Sequence, residues 1–461
     1  MDLTILQWNA RSLVAHQMEL KNYLLSTQTR PSLVCVQETF LKPNKTIKFP
    51  GYAIERNDRE GNMSGGGVAT LIAEGLSYAV VEAPAGVEAL SIRINLTSRK
   101  SITVTNLYHP PGKPLNSEKL QRIFETKNNI IVGDFNSHSS LWGSSTTDAN
   151  SRLIEELLEE YHMTTLNTGE GTFIKPCSEG YSPLDLTIVP MDLAVRARWE
   201  VLQDSLGSDH LAVLTTFNAK PVLQDKAPPS WNFKRADWEL YSSELEDLQP
   251  SQGDDVTTEQ EHERLTGAIL DAATKSIPKK SMNVKYKPLP YWNKECDDVI
   301  KLRNAARNRW KRHGFGLDEA ENARLKEEYL RLQGLVQRKL KDTSQQHWQD
   351  YCSTLTSASK LGPVWAMARS MTGTASRSSM PHLVITSGDE EKTFETNEEK
   401  ADLLAQVYAQ VSSDANYDDH FARHKTRMED TWSKEPPPPL PANEKRHRST
   451  NQSAGMSSAW P

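Results

Sequence analysis

No run of about 18 consecutive apolar residues occurs in the chain, so a membrane-spanning helix is not expected. The opening residues, Met1-Asp2-Leu3-Thr4, lack a basic stretch leading into an apolar core, so no secretory signal is read there. Cysteine is scarce. Only Cys35, Cys177, Cys296 and Cys352 occur in 461 residues, and none has CxxC or Cys/His ligand spacing. That argues against a disulfide frame or a zinc site and for reduced thiols in an intracellular protein. Hydrophobic residues are also sparse, at 37%, and mean hydropathy is −0.62. Values this low imply that part of the chain is extended, helical or disordered rather than one globule. Overall positive charge is missing too. A formal net charge of −6 excludes a uniformly basic nucleic-acid binder. The charge is uneven, however: from Lys275 to Lys341 there are 18 Lys/Arg against 8 Asp/Glu.

What is present begins with short apolar runs that end in polar residues. Leu3 to Trp8 runs into Asn9, Leu33 to Val36 into Gln37 and Glu38, and Ile102 to Leu107 into Tyr108. Ile130 to Gly133 runs into Asp134, Leu184 to Val189 contains Asp185, and Leu211 to Phe217 follows Asp209-His210. Their length and Val/Ile/Thr content predict strands, with two more over Gly67–Ile72 and Leu90–Leu96. Helices are expected over Ala15–Leu25 and Ser151–Tyr161, the second capped by Asn150. The first domain is therefore drawn over residues 1–218. A proline-bearing linker with one helix, about Thr258 to Ile277, follows over 219–290. A basic helical connector is expected over 291–356, broken near Gly314-Phe315-Gly316. A small helical or irregular segment covers 357–412, with a helix from Glu395 to Val411. The tail over 413–461, with its proline run Pro436–Pro439, reads as disordered.

The chemistry collects at the strand ends, where loops on a rigid scaffold carry function. The set is Asn9, Glu38, Tyr108, Asp134, Asn136, Asp185, Asp209 and His210. Singly, each has an ordinary reading: Asn9 as a turn cap, Glu38 as a solvated strand end, His210 as a structural histidine. Jointly they make a hard-cation site with a base.

The segments Gly133-Asp134-Phe135-Asn136 and Ser208-Asp209-His210 follow Gln37-Glu38 in the chain. Together these resemble the endonuclease/exonuclease/phosphatase superfamily. Four further stretches, Trp8-Asn9-Ala10-Arg11-Ser12-Leu13, Tyr108-His109-Pro110-Pro111, Leu141-Trp142-Gly143-Ser144 and Gly171-Thr172-Phe173, resemble its branch in jockey-like non-LTR retrotransposons. The resemblance covers residues 1 to about 218. It implies an α+β sandwich: two packed mixed β-sheets flanked by helices, in four layers, ahead of the charged helical connector and the disordered tail. Tyr291-Trp292-Asn293-Lys294-Glu295-Cys296 resembles the connector that follows this domain in such elements.

The resemblance implies a metal-dependent endonuclease that nicks double-stranded DNA and leaves a 3′-hydroxyl and a 5′-phosphate. A phosphodiester is an anion, so its cleavage needs charge neutralisation and an activated water. Mg²⁺, with Mn²⁺ as a substitute, suits oxygen ligands. Glu38 is the expected main metal ligand, with Asn9 and Asp209 close to it. Asn136 and Tyr108 are expected to donate to phosphate oxygens, and Asp134 to orient or deprotonate the water. Asp185 is expected to hold the His210 ring, with His210 acting as donor or base. Thr172 and Ser208 match phosphate-contacting positions of the branch. Arg11 departs from the wider family, because abasic-site enzymes carry an acid there. The basic helices over 294–341 read either as a solvated hairpin or as a surface that tracks a nucleic-acid backbone, RNA included. No Tyr-x-Asp-Asp polymerase motif is found, so the chain reads as the endonuclease and connector of a truncated element. A phosphatase or abasic-site enzyme of the same superfamily, and an inactive nucleic-acid-binding remnant, are the alternatives. A nuclear site of action is expected only from the substrate.

Overall fold

The computed structural model describes residues 2–434 except 60–64, 99, 175–180, 224–229, 247, 249–256, 280–288, 314–317, 357–358, 373–381, 388–389, 395, 412, 414–415 and 417. The chain divides into two compact units, Met1–Glu395 and Thr396–Pro461. The first opens with β1 (Leu3–Asn9), α1 (Leu13–Ser26), β2 (Leu33–Gln37), β3 (Tyr52–Asn57), β4 (Val68–Ala73), β5 (Tyr78–Val81) and β6 (Glu88–Asn95). Next come β7 (Ser101–Tyr108), α2 (Ser117–Phe124), β8 (Asn129–Asp134), α3 (Ala149–Glu160), β9 (Met163–Thr165), β10 (Phe173–Ile174) and β11 (Tyr181–Ser182). The sandwich closes with β12 (Asp185–Pro190), α4 (Met191–Ala194), β13 (Ala197–Val201) and β14 (Val213–Phe217).

Two six-stranded mixed sheets result, ordered β13-β14-β1-β2-β4-β3 and β5-β6-β7-β8-β12-β9. Each has one parallel pair near its centre, β1 with β2 and β7 with β8, and its other pairs are antiparallel. Period-2 alternation sorts the side chains. In β1, Leu3 and Ile5 enter the core between the sheets, while Leu6 and Trp8 face α1 on the outside. In β8, Ile130 and Val132 face inward, while Ile131 packs outward with α2 and α3. The layers are therefore helix, sheet, sheet, helix, as expected.

The same alternation makes the site. Continuing inward along β1 gives Gln7 and Asn9, along β2 Gln37, along β7 Asn106 and Tyr108, and along β8 Asp134. The inner face is apolar at one end of these strands and polar at the other. Parallel strands deliver their C-terminal ends to the same edge. The antiparallel neighbours β12 and β14 begin at that edge, with Asp185 opposite Asp134 and Val213 opposite Gln7. Gly133 is required here: a Cβ would lie 1.8 Å from the Leu107 carbonyl oxygen.

The strand expectations all fall on observed strands. The α3 helix is capped by Asp148 rather than Asn150, through a capping box with Ser151. Asn150 lies inside the helix, where its side chain accepts from the Leu115 N–H at 2.9 Å. After the sandwich come α5 (Trp238–Leu245), α6 (Thr258–Ser276), α7 (Lys294–His313), α8 (Glu319–Ser353), α9 (Leu361–Thr372), β15 (Leu383–Ser387) and β16 (Glu390–Phe394). The expected break at Gly314-Phe315-Gly316 lies outside the described residues. The second unit contains α10 (Asn397–Val411) and α11 (Asp419–Lys434). The latter lies within the tail expected from residue 413, ahead of the proline run, which falls outside the described residues. No helix among the described residues is long and apolar enough to cross a membrane.

Candidate active site

The polar end of the inner face is a continuous hydrogen-bonded constellation. The Asn9 side-chain N–H group donates to Glu38 Oε1 at 2.9 Å and to Asp134 Oδ2 at 2.8 Å. The Asn136 backbone N–H donates to Asp134 Oδ1 at 3.0 Å, and its side chain donates to the His109 carbonyl at 2.8 Å. His210 Nδ1 lies 2.8 Å from Asp185 Oδ2, and its Nε2 lies 3.9 Å from Asp134 Oδ2. Thr172 donates its hydroxyl to Asp185 Oδ2 at 2.5 Å. Ser208 donates to the Asn9 carbonyl at 2.8 Å and accepts from the His210 N–H at 3.2 Å. Phe173 packs on the imidazole with ring centroids 4.8 Å apart. Asn9, Asp134, Asp185, His210, Thr172 and Ser208 are all buried.

Backbone strain concentrates at this edge. Arg11, Ser12, Glu38, Phe40, Asn136 and Leu206 all have positive φ without being glycine. Such conformations cost about 1–3 kcal/mol each and persist where the surroundings over-determine them. Glu38 and Asn136, at φ 48° and 46°, sit just past the ends of β2 and β8. The turn at each strand end brings their side chains onto Asn9 and Asp134.

Burial sets the electrostatics. It pushes the Asp134 carboxyl up, reinforced by Asp185 and opposed by His210 and the Asn9 hydrogen bond, to about 7. Burial works against protonation of His210, but Asp185, Asp134 and Asp209 outweigh it and raise the ring to about 10. The Tyr108 hydroxyl is pushed up by burial and by Glu38 and Asp134, which keeps it a neutral donor to Glu38.

Among the described residues, Asp134, Asp185 and His210 have ligand atoms within 4.8 Å of one another. Asp185 is nevertheless fully engaged. Its Oδ1 accepts from Gln7 at 2.7 Å, and its Oδ2 from Thr172 and His210. This donor set suits a buttress for the imidazole better than a metal ligand. Beyond Asp134, the half-buried Glu38 carboxylate accepts from Asn9 and completes the row of oxygen-bearing side chains along the edge. Asp209, expected beside the metal, has its Oδ2 2.5 Å from Arg11 Nη1 and its Oδ1 3.3 Å from Ser208 Oγ. The Arg11 guanidinium pairs with Asp209 at the rim.

A layer of buried amides beneath the site had no assigned role in the sequence reading. Gln7 bridges Gln37 and Asp185, and Gln37 donates to Asn106 Oδ1 at 2.6 Å. The signal was available: Gln7, Gln37 and Asn106 interrupt otherwise apolar inward positions, and buried amides must find partners.

Known proteins resemble this chain in sequence and in fold. The family described as endonuclease-reverse transcriptase matches residues 102–214, which hold Tyr108, Asp134, Asn136, Thr172, Asp185, Ser208 and His210. Residues 102–214 thus resemble that family, and the chain is similar in sequence to proteins of jockey-like mobile elements. The chain is 26% identical over 253 residues to the RNA-directed DNA polymerase from mobile element jockey of Drosophila melanogaster, covering 52% of this chain and 26% of that protein. It is 26% identical over 335 residues to the probable RNA-directed DNA polymerase from transposon X-element of the same fly, covering 70% and 36%. The chain thus spans about a quarter to a third of the length of these curated relatives. Among solved structures, the endonuclease domain of TRAS1, a telomere-specific non-LTR retrotransposon, is 22% identical with a TM-score of 0.40, covering 47% of this chain and 98% of that one. The Xenopus laevis APE2 catalytic domain is 19% identical with a TM-score of 0.39, covering 49% and 94%.

Proposed function

We propose that this domain, drawn over residues 1–218, hydrolyses phosphodiester bonds of double-stranded DNA with Mg²⁺ and leaves a nick. The observation that carries this reading is the single edge on which Asn9, Glu38, Asp134, Asp185 and His210 meet. Glu38, with Asn9 near it, would hold the cation, which neutralises phosphate charge and favours ionisation of water. Asp134 takes the proton of the attacking water; a carboxylate held near neutrality is matched to that task. His210 is raised well above neutral pH and so serves as a charged donor to the scissile phosphate rather than as a base. Asp185 fixes its ring, as the acid of a hydrolase triad does. Asn136 and Tyr108 exchange their present partners for phosphate oxygens, and Thr172 and Ser208 hold Asp185 and the Asn9 strand end in place. Manganese would substitute for magnesium.

Exposed Lys301, Arg331, Arg338 and Lys341 on the α7–α8 hairpin are available to a nucleic-acid backbone, DNA or RNA. Arg309 and Lys339 are less so, because each pairs with a glutamate of the hairpin, Glu328 and Glu295. A chromosomal target implies action in the nucleus.

The test is relaxation of supercoiled plasmid by the purified chain in Mg²⁺ against EDTA, with Asp134→Ala alongside. Nicked circles should form only with the metal. Asp134→Ala should lower the rate by about 10³-fold, within the range for a lost general base. Equal nicking by wild type and Asp134→Ala would sink the proposal.

A further inference from the structure

Arg303 and Arg307 lie one turn apart on α7, in the segment read from sequence as a solvated or backbone-tracking basic face. They are neither. Their exposures are 0% and 1%. Arg303 Nη1 donates to both oxygens of Glu19 on α1, each at 2.8 Å, and its Nη2 donates to Asp204 Oδ1 at 3.0 Å. Arg307 donates to the Gln203 carbonyl. From α8, Gln333 donates to the Gly207 carbonyl, and Gln337 lies 3.2 Å from His16 Nε2. His16 Nδ1 in turn lies 2.9 Å from the Ala10 carbonyl. Burial lowers the His16 pKa, so the ring is neutral. It then donates to Ala10 through Nδ1 and accepts from Gln337 at Nε2.

These contacts share a destination. Gln203, Asp204 and Gly207 precede Ser208-Asp209-His210, and Ala10 follows Asn9. The hairpin therefore grips the two backbone segments that carry one flank of the catalytic edge, from the side opposite the reacting groups. The grip is built rather than incidental. Trp310 stacks on Tyr329 with centroids 5.7 Å apart, and Cys296, Val336 and Leu340 form an apolar cluster that reaches Met18 on α1. The 203–207 segment needs an outside hold because its backbone is strained at Leu206, whose φ is 52°. Gly207 is pressed so closely on Glu19 and His16 that a Cβ there would lie 2.7 Å from each. A buried guanidinium satisfied by two carboxylates from separate segments locks their relative position, because removing it leaves charge buried without a partner.

We infer that the α7–α8 hairpin is a positioning element for the nuclease site, in which Arg303, seconded by Gln333, holds segment 203–209 so that Ser208 and His210 stay in register with Asn9. The inference rests on the nuclease reading, and its test has a readout that does not. In the full chain, Arg303→Met should raise amide hydrogen exchange at residues 203–210 by about tenfold or more, while amides of β1 and β8 keep their protection. In plasmid nicking, kcat should fall roughly 10- to 100-fold, the scale of an ångström misplacement, with KM for DNA within about twofold of wild type. Arg303→Lys should recover part of the kcat. If Arg303→Met does not fold, Gln333→Leu, on the half-buried side of the hairpin, should show the same pattern at about three- to fivefold.

Unchanged exchange at 203–210 in a folded variant would overturn the inference. So would a rise in KM at constant kcat, which would make the hairpin a DNA-holding surface. If wild-type protein does not nick DNA at all, the nuclease reading falls, and the exchange data alone still decide whether the hairpin braces the segment.

Discussion

The sandwich and the α7–α8 hairpin handle charge in opposite ways. In the sandwich, ionisable side chains are buried together at one edge, where Asp185 shifts the proton affinity of Asp134 and of His210. In the hairpin most charges among the described residues face solvent or pair along the surface, as Arg309 does with Glu328. Its two buried arginines both turn toward the sandwich. Burying charge is costly unless every group is matched, so buried charge marks places where position matters more than stability. The edge concentrates it for chemistry, and the hairpin uses it for attachment.

Three perturbations press on that contrast. The largest effect is expected at Asp185→Asn, which removes the charge that holds His210 and raises its pKa. Activity of the wild type should rise with pH as Asp134 loses its proton, reaching a plateau at or below about 7 once the cation is bound. It should fall again near 10, where His210 deprotonates. In Asp185→Asn the alkaline fall should move down toward the ordinary histidine value of about 6.5, with kcat lower by about 10²- to 10⁴-fold. A pH–rate profile with an unmoved alkaline limb would separate Asp185 from His210.

The next effect is on the scaffold. Gly133→Ala drives a Cβ into the Leu107 backbone between two parallel strands. It should cost more than about 3 kcal/mol in urea denaturation, beyond the ordinary range for point substitutions. A loss under 1 kcal/mol would show that β7 and β8 can part without harm.

The smallest effect is at the rim. The Arg11–Asp209 pair is exposed on its arginine side, at 64%, and such pairs contribute about 0–1 kcal/mol. Arg11→Ala should change stability by less than about 1 kcal/mol and nicking by no more than a few fold. A large gain in Mg²⁺ affinity would instead mean that Arg11 holds Asp209 away from the cation.

Most of this edge was readable from the chain because the strands carry their own punctuation. Ile130 to Gly133 ending at Asp134, and Leu3 to Trp8 ending at Asn9, mark both the strand and the point where it stops. Short elements were not readable. The strand Met163–Thr165 and the helix Met191–Ala194 are too brief for any periodicity and are fixed by their neighbours. The α3 cap was misplaced by two residues because Asp148 and Asn150 are both good capping types, and only the Ser151 partner distinguishes them. Arg303 was invisible for a different reason. Its partner Glu19 lies 284 residues away, and a helix rich in Lys and Arg gives no local sign of which cation turns inward.

The order of strands in the first sheet has a consequence for synthesis. Strand β1 is the first made, and its antiparallel neighbour β14, which follows His210 in the chain, is the last strand of the sandwich, pairing Leu3 with Phe217 and Gln7 with Val213. Until residue 217 has left the ribosome, one side of β1 has no ladder partner. The last side chain of the site to be made, that of His210, is thus followed directly by the strand that closes the sheet.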